Sequence, residues 1–102
     1  MKFGVTANPH IPSALDSAKH IVGRLESAHE VLLESDLARV FGRNGVPLAH
    51  MKADVILAIG GDGTILRALQ LSDTKVLGIN SGSLGFLAEV YAEEVDEYLD
   101  RI

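Results

Sequence analysis

The sequence predicts an α/β domain of three layers, with a mainly parallel sheet covered by helices on both sides. Three observations carry this. Short β-forming runs alternate with stretches of helical spacing along the chain. The run Asp54 to Ile59, DVILAI, is apolar without alternation after its first residue, the pattern of a strand buried on both faces. Loops rich in glycine, asparagine or proline follow three of the strand ends, on the edge where parallel sheets gather their ligands.

Taken in order, Phe3 to Ala7 is short and rich in β-formers, and Pro9 and Pro12 punctuate the loop after it. From Ser13 the spacing becomes helical. Leu15, Ala18, Val22 and Leu25 share one stripe with Ile21 beside it, while Asp16, Lys19 and Glu26 take the other face. Val31-Leu32-Leu33 reads as a second strand. Ser35-Asp36 resembles an N-cap pair opening a short helix, Leu37 to Phe41, which Gly42 and Asn44-Gly45 stop. After the DVILAI strand, Thr64 to Leu71 resumes helical spacing, and Lys75 to Ile79 forms a fourth strand. A polar loop, Asn80 to Ser83, leads into LGFLAEV, Leu84 to Val90. From Glu93 a last helix places Val95, Tyr98, Leu99 and Ile102 on one face, with acids at its start where the helix dipole favours them. The order β-α-β-α-β-α-β-loop-α implies right-handed crossovers and a Rossmann-like sheet.

Composition narrows the function. At 102 residues, 47% of them hydrophobic and 23% charged, the chain is sized and balanced for one globular domain, residues 1–102. A net charge of −5 without any lysine or arginine cluster argues against nucleic acid as a partner. Cysteine is absent, which removes disulfide and thiolate chemistry. The start shows no signal-peptide hydrophobic region, and the longest apolar run is far too short to cross a bilayer. A cytoplasmic domain without a membrane partner is expected. The four histidines share no metal-ligand spacing, so no protein-held metal is expected.

The chemistry concentrates in Gly60-Gly61-Asp62-Gly63-Thr64. Three glycines let the chain turn with positive φ and let a ligand approach backbone, while the helix that follows offers free N–H groups and a positive dipole end. Phosphate suits that space. The turn lacks the lysine of a Walker loop and does not follow the dinucleotide fingerprint. A carboxylate among the glycines would repel phosphate, so Asp62 is read as facing an acceptor hydroxyl, which it orients and deprotonates while glycines and amides hold the donor. The competing reading is a tight strand-to-helix turn in which Asp62 is the N-cap and accepts from the amide of Thr64 or Ile65. The second polar loop at the adjacent strand end favours the functional reading.

GGDGTILRAL and, sixteen residues after its threonine, NSGSLGFLAEV together resemble the NAD kinase family. Asn80, Gly82, Leu84, Gly85, Phe86 and Leu87 match that family's second element without a gap. The first element alone is shared with lipid kinases and, more loosely, with phosphofructokinases. The pair at this spacing is much more specific, and the likeness is strongest over Asp54 to Val90. It implies a phosphofructokinase/NAD kinase-like amino-terminal domain and transfer of a phosphoryl group from ATP or polyphosphate to the 2′-hydroxyl of the adenosine ribose of NAD, giving NADP. On this likeness Asp62 is the proton acceptor, and Gly61 and Gly63 meet nucleotide; Thr64 touches donor phosphate or merely starts the helix. Arg67 meets dinucleotide phosphate or stays solvated; Asn80 bonds nucleotide or its own turn; Leu84 and Phe86 wall the adenine side of the NAD pocket or, for Phe86, simply pack the core. Magnesium or another divalent cation accompanies ATP, and the family implies a homo-oligomer.

Two departures matter. Lipid kinases of this superfamily carry N-P-x-S-G after the first strand, whereas Asn8-Pro9 continues here as His10-Ile11, and Ile65-Leu66-Arg67 replaces their Asn-Glu stretch after the glycine turn. A lipid or sugar kinase half-domain, or a non-catalytic nucleotide-binding module, are the alternatives. NAD kinases also have a second, β-rich domain that would begin near Ile102, so these residues alone are expected to have little or no kinase activity.

Overall fold

The computed structural model describes residues 1–81, the backbone of 90–91, and residues 97 and 100. Five parallel strands form one sheet: β1 (Lys2–Ala7), β2 (Glu30–Leu33), β3 (Val55–Gly60), β4 (Val76–Asn80) and β5 (Val90–Tyr91). Their spatial order is β2-β1-β3-β4-β5. Between them run α1 (Pro12–Glu26), α2 (Ser35–Phe41), a 3-10 turn at Leu48–His50 and α3 (Asp62–Leu71). The expected α/β architecture and parallel sheet are therefore present. The LGFLAE part of the expected segment after Ser83, and most of the last helix, lie outside the described residues.

The burial pattern follows the pleat. Phe3, Val5, Leu57, Ile59, Leu77 and Ile79 point to one face and pack with Ala18, Ile21, Val22 and Leu25 of α1. Ala58 points to the other face, against Ile65 and Ala68 of α3. Ile56 shares that second face with Leu48 and Met51, so the 3-10 turn closes the part of the sheet that α3 does not reach. β3 is thus covered on both faces, as its unbroken apolar run requires. Each large aliphatic side chain buried there stabilises the fold by about 1.5–3 kcal/mol.

Three boundaries differ from expectation for local reasons. Pro12 belongs to α1, not to the loop: it occupies the first helical turn, where a missing N–H costs nothing. The N-cap of α2 is Glu34, one residue before the expected Ser35-Asp36 pair, and its carboxylate accepts from the Asp36 N–H at 3.0 Å. Gly42 ends that helix as expected, at φ 69°. Beyond it, Arg43 donates to Glu26 at 2.7 Å, and that bond, followed by the charge of Glu26, raises the guanidinium pKa. Finally, α3 begins at Asp62, two residues before Thr64, with Gly61 as its N-cap.

Candidate functional site

In a sheet of order β2-β1-β3, the chain leaves β1 toward one side and returns on the other, so a crevice opens above the carboxyl ends of β1 and β3. The register fixes this edge: Ala7 lies opposite Ile59, and Gly60 opposite Asn80. A cleft of about 440 Å³ occupies the crevice. One wall is the turn from Asn8 to Ile11, folded by the Asn8 carboxamide, which accepts from the His10 N–H at 3.0 Å. The opposite wall is the start of α3, with Gly61, Gly63, Thr64 and Arg67. Glu34 and Asp36 close the β2 end.

The glycines of the turn serve different ends. Gly60 has φ 153°, and a Cβ there would stand 3.0 Å from Thr64 Oγ1, so backbone and packing both require glycine. Positive φ was expected at Gly61 and Gly63 too, but Gly60 is the only one of the three that adopts it. The chain turns once, at the strand's last residue, and is helical from Asp62 onward. Among the described residues, a Cβ on Gly61 or Gly63 would meet no atom within 4 Å beyond its chain neighbours and its own helix backbone. Those two positions therefore leave room that the described residues do not use, beside amides that precede the first helical hydrogen bond, from Ile65 N–H to Gly61 O. The positive end of the helix dipole faces the same room.

Helical geometry sorts the expected residues. Thr64 and Arg67, three apart, share the flank of α3 that faces the cleft. Asp62 shares the opposite flank with Leu66 and Leu69, at the i, i+4, i+7 spacing. It is partly buried and is not a wall of the cleft. The N-cap alternative is overturned, since Gly61 holds that position and Asp62 is the first helical residue. Asn80 is only 2% exposed and lies outside the cleft wall. The next residue ties the two loops together, Ser81 N–H donating to Gly60 O at 3.2 Å. Leu84 and Phe86 lie outside the described residues.

Sequence reasoning missed Glu34 and Thr6. Glu34 is 3% exposed, and its main chain is pinned between β1 and α2: its N–H donates to Val5 O at 2.9 Å, and its carbonyl accepts from the Ala38 N–H at 2.8 Å. The Thr6 hydroxyl donates to the Glu34 carboxylate at 3.4 Å. The available signal was an acid directly after an apolar strand, on the edge where the other strand ends carry ligand loops. Among the described residues, no three His, Cys, Asp or Glu side chains converge to hold a metal ion. No helix among them is long and apolar enough to cross a membrane.

Comparison with known proteins gives a consistent result. The family model of the ATP-NAD kinase N-terminal domain matches residues 10–102. The NAD kinase of Picrophilus torridus is 39% identical over 90 residues, which covers 88% of this chain and 33% of that protein. That of Thermoplasma acidophilum is 42% identical over 85 residues, covering 83% and 31%. That of Methanoregula boonei is 38% identical over 102 residues, covering 97% and 38%. Yeast NADH kinase, solved in complex with NADH, superposes with a TM-score of 0.84 over 99% of this chain and 37% of its own. At 21% identity, that likeness concerns the fold alone. The chain spans about a third of the length of these curated relatives.

Proposed function

The chain belongs to the NAD kinase family, as its amino-terminal domain, and from that premise we propose that it supplies the donor cleft and the proton acceptor for making NADP. The donor, ATP or polyphosphate, sets its phosphates against the first amides of α3, in the space that Gly61 and Gly63 leave open, with Thr64 and Arg67 on the same flank. Asp62 works from the other flank. Its carboxylate takes the proton of the 2′-hydroxyl on the adenosine ribose of NAD as that oxygen bonds to the terminal phosphorus. The bond from phosphorus to the bridging oxygen breaks, and ADP or a shortened polyphosphate leaves. A divalent cation, magnesium for preference, would be held by the donor phosphates rather than by side chains of this chain, and would supply charge neutralisation. Asn80, Leu84 and Phe86 are proposed to serve the acceptor side, with Asn80 acting through the shape of its turn. A cytoplasmic homo-oligomer is proposed.

The observation that carries this reading is the division of α3 into two flanks at its first turn: open glycines and a cation toward the cleft, a carboxylate on the far side. The test is an enzyme-coupled assay of NADP formation on the protein extended through a second domain like that of its relatives. Asp62→Asn is expected to lower kcat by about 10²–10⁴-fold, the range for losing a general base, with KM for ATP little changed. Full turnover after that substitution would remove Asp62 from the chemistry.

A further inference from the structure

We propose that the β2 end of the cleft is a subsite for sugar hydroxyls, with Glu34 as its acceptor, and that it makes the phosphoryl donor a nucleoside triphosphate rather than inorganic polyphosphate. The inference rests on the reading of the cleft as the donor site and names the donor class.

Glu34 is a buried charge with acceptor capacity to spare. A carboxylate offers about four acceptor positions. Here one oxygen accepts from the Asp36 N–H at 3.0 Å, and the other accepts from the Thr6 hydroxyl at 3.4 Å. An O–H···O bond is ordinarily about 2.7–2.8 Å long, so the second contact is weak. A carboxylate 3% exposed and incompletely satisfied is costly unless further donors reach it. The side open to such donors is the cleft it helps to line.

The cleft is also polarised along its length. At the α3 end stand free helix amides and Arg67; at the β2 end stand Glu34 and Asp36. A polyphosphate long enough to fill the cleft would lay anionic groups against two carboxylates. A nucleotide reverses its own character over the same distance, from charged phosphates to neutral hydroxyls that donate. Two strand spacings, roughly 10 Å, separate the ends, because β1 lies between β2 and β3. That interval suits the reach from a terminal phosphate to the ribose. In other nucleotide-binding sheets of this kind, an acid beyond the second strand takes ribose hydroxyls in the same way.

The test is calorimetric titration of this chain, in magnesium, with ATP, 2′,3′-dideoxy-ATP and tripolyphosphate. ATP is expected to bind about tenfold more tightly than either of the others, the effect of one hydrogen bond to a charged acceptor. Glu34→Gln keeps an oxygen for the α2 cap. It should weaken ATP about tenfold, leave dideoxy-ATP within about twofold and strengthen tripolyphosphate. The dideoxy comparison needs no substitution, so it stands even if the variant folds poorly. Equal binding of ATP and dideoxy-ATP, or of ATP and tripolyphosphate, overturns the sugar subsite and leaves the donor cleft standing. Binding of none of the three overturns the donor cleft and this inference with it.

Discussion

Thr64 and Arg67 face a cleft walled on three sides by described residues, whereas Asp62 shares its flank of α3 with Leu66 and Leu69, which are 46% and 50% exposed. Both flanks belong to one helix of ten residues. The first is assembled from three consecutive strand ends and needs nothing further to form a concave, charged surface. The second offers a carboxylate beside uncovered aliphatic carbon. Donor binding and turnover should therefore separate in this chain, with the first present and the second missing.

The strongest test of that separation is turnover itself. The 102 residues should bind ATP yet form NADP at least about 10²-fold more slowly than a version extended through a second domain, in the same coupled assay. Comparable rates would show that the Asp62 flank is already complete. Next in size is a substitution that should spare neither flank. A Cβ on Gly4 would fall on Met51 Sδ beneath the sheet, so Gly4→Ala should destabilise the fold by about 1–3 kcal/mol in urea denaturation. Loss of donor binding without loss of stability would place Gly4 in the site, against the packing seen here. Gly63→Ala sharpens the contrast, since the added methyl meets none of the other described side chains. At this first-turn position it should raise stability by no more than about 0.5 kcal/mol, less than the mid-helix gain, while weakening ATP about tenfold. A variant that lost both would mean that the glycine serves the backbone. The smallest effect belongs to Leu69→Gln, expected within about 0.5 kcal/mol in stability and without change in ATP affinity. A larger loss of ATP affinity would show that the two flanks are coupled.

Much of the sheet was legible because its signals are local. An unbroken DVILAI run announces a strand covered on both faces, and a turn rich in glycine before helical spacing announces a strand-to-helix junction. The start of α3 was less so. Asp62 and Gly63 have poor helix propensity, yet at the first turn an acid is favoured by the dipole, and glycine there costs less than it would mid-helix. That shift of two residues decides which side chains share a flank, so the split between Asp62 and the cleft was hidden by it. Glu34 was hidden by topology. Its place in the cleft exists because β2 lies beside β1, an adjacency between segments some thirty residues apart that no window of sequence displays. β5, two residues long, carries no periodic signal of its own.

The position of β1 has a consequence for biosynthesis. It emerges from the ribosome ahead of both its neighbours, yet it ends between them, with Phe3 opposite Val31 on one side and Val55 on the other. At translation speeds of about 5–20 residues per second, its second neighbour follows roughly 3–10 s later. Until β2 follows, both ladders of β1 are open, and until β3 follows one still is, which makes the strand of Phe3, Val5 and Ala7 a segment in need of a chaperone's attention.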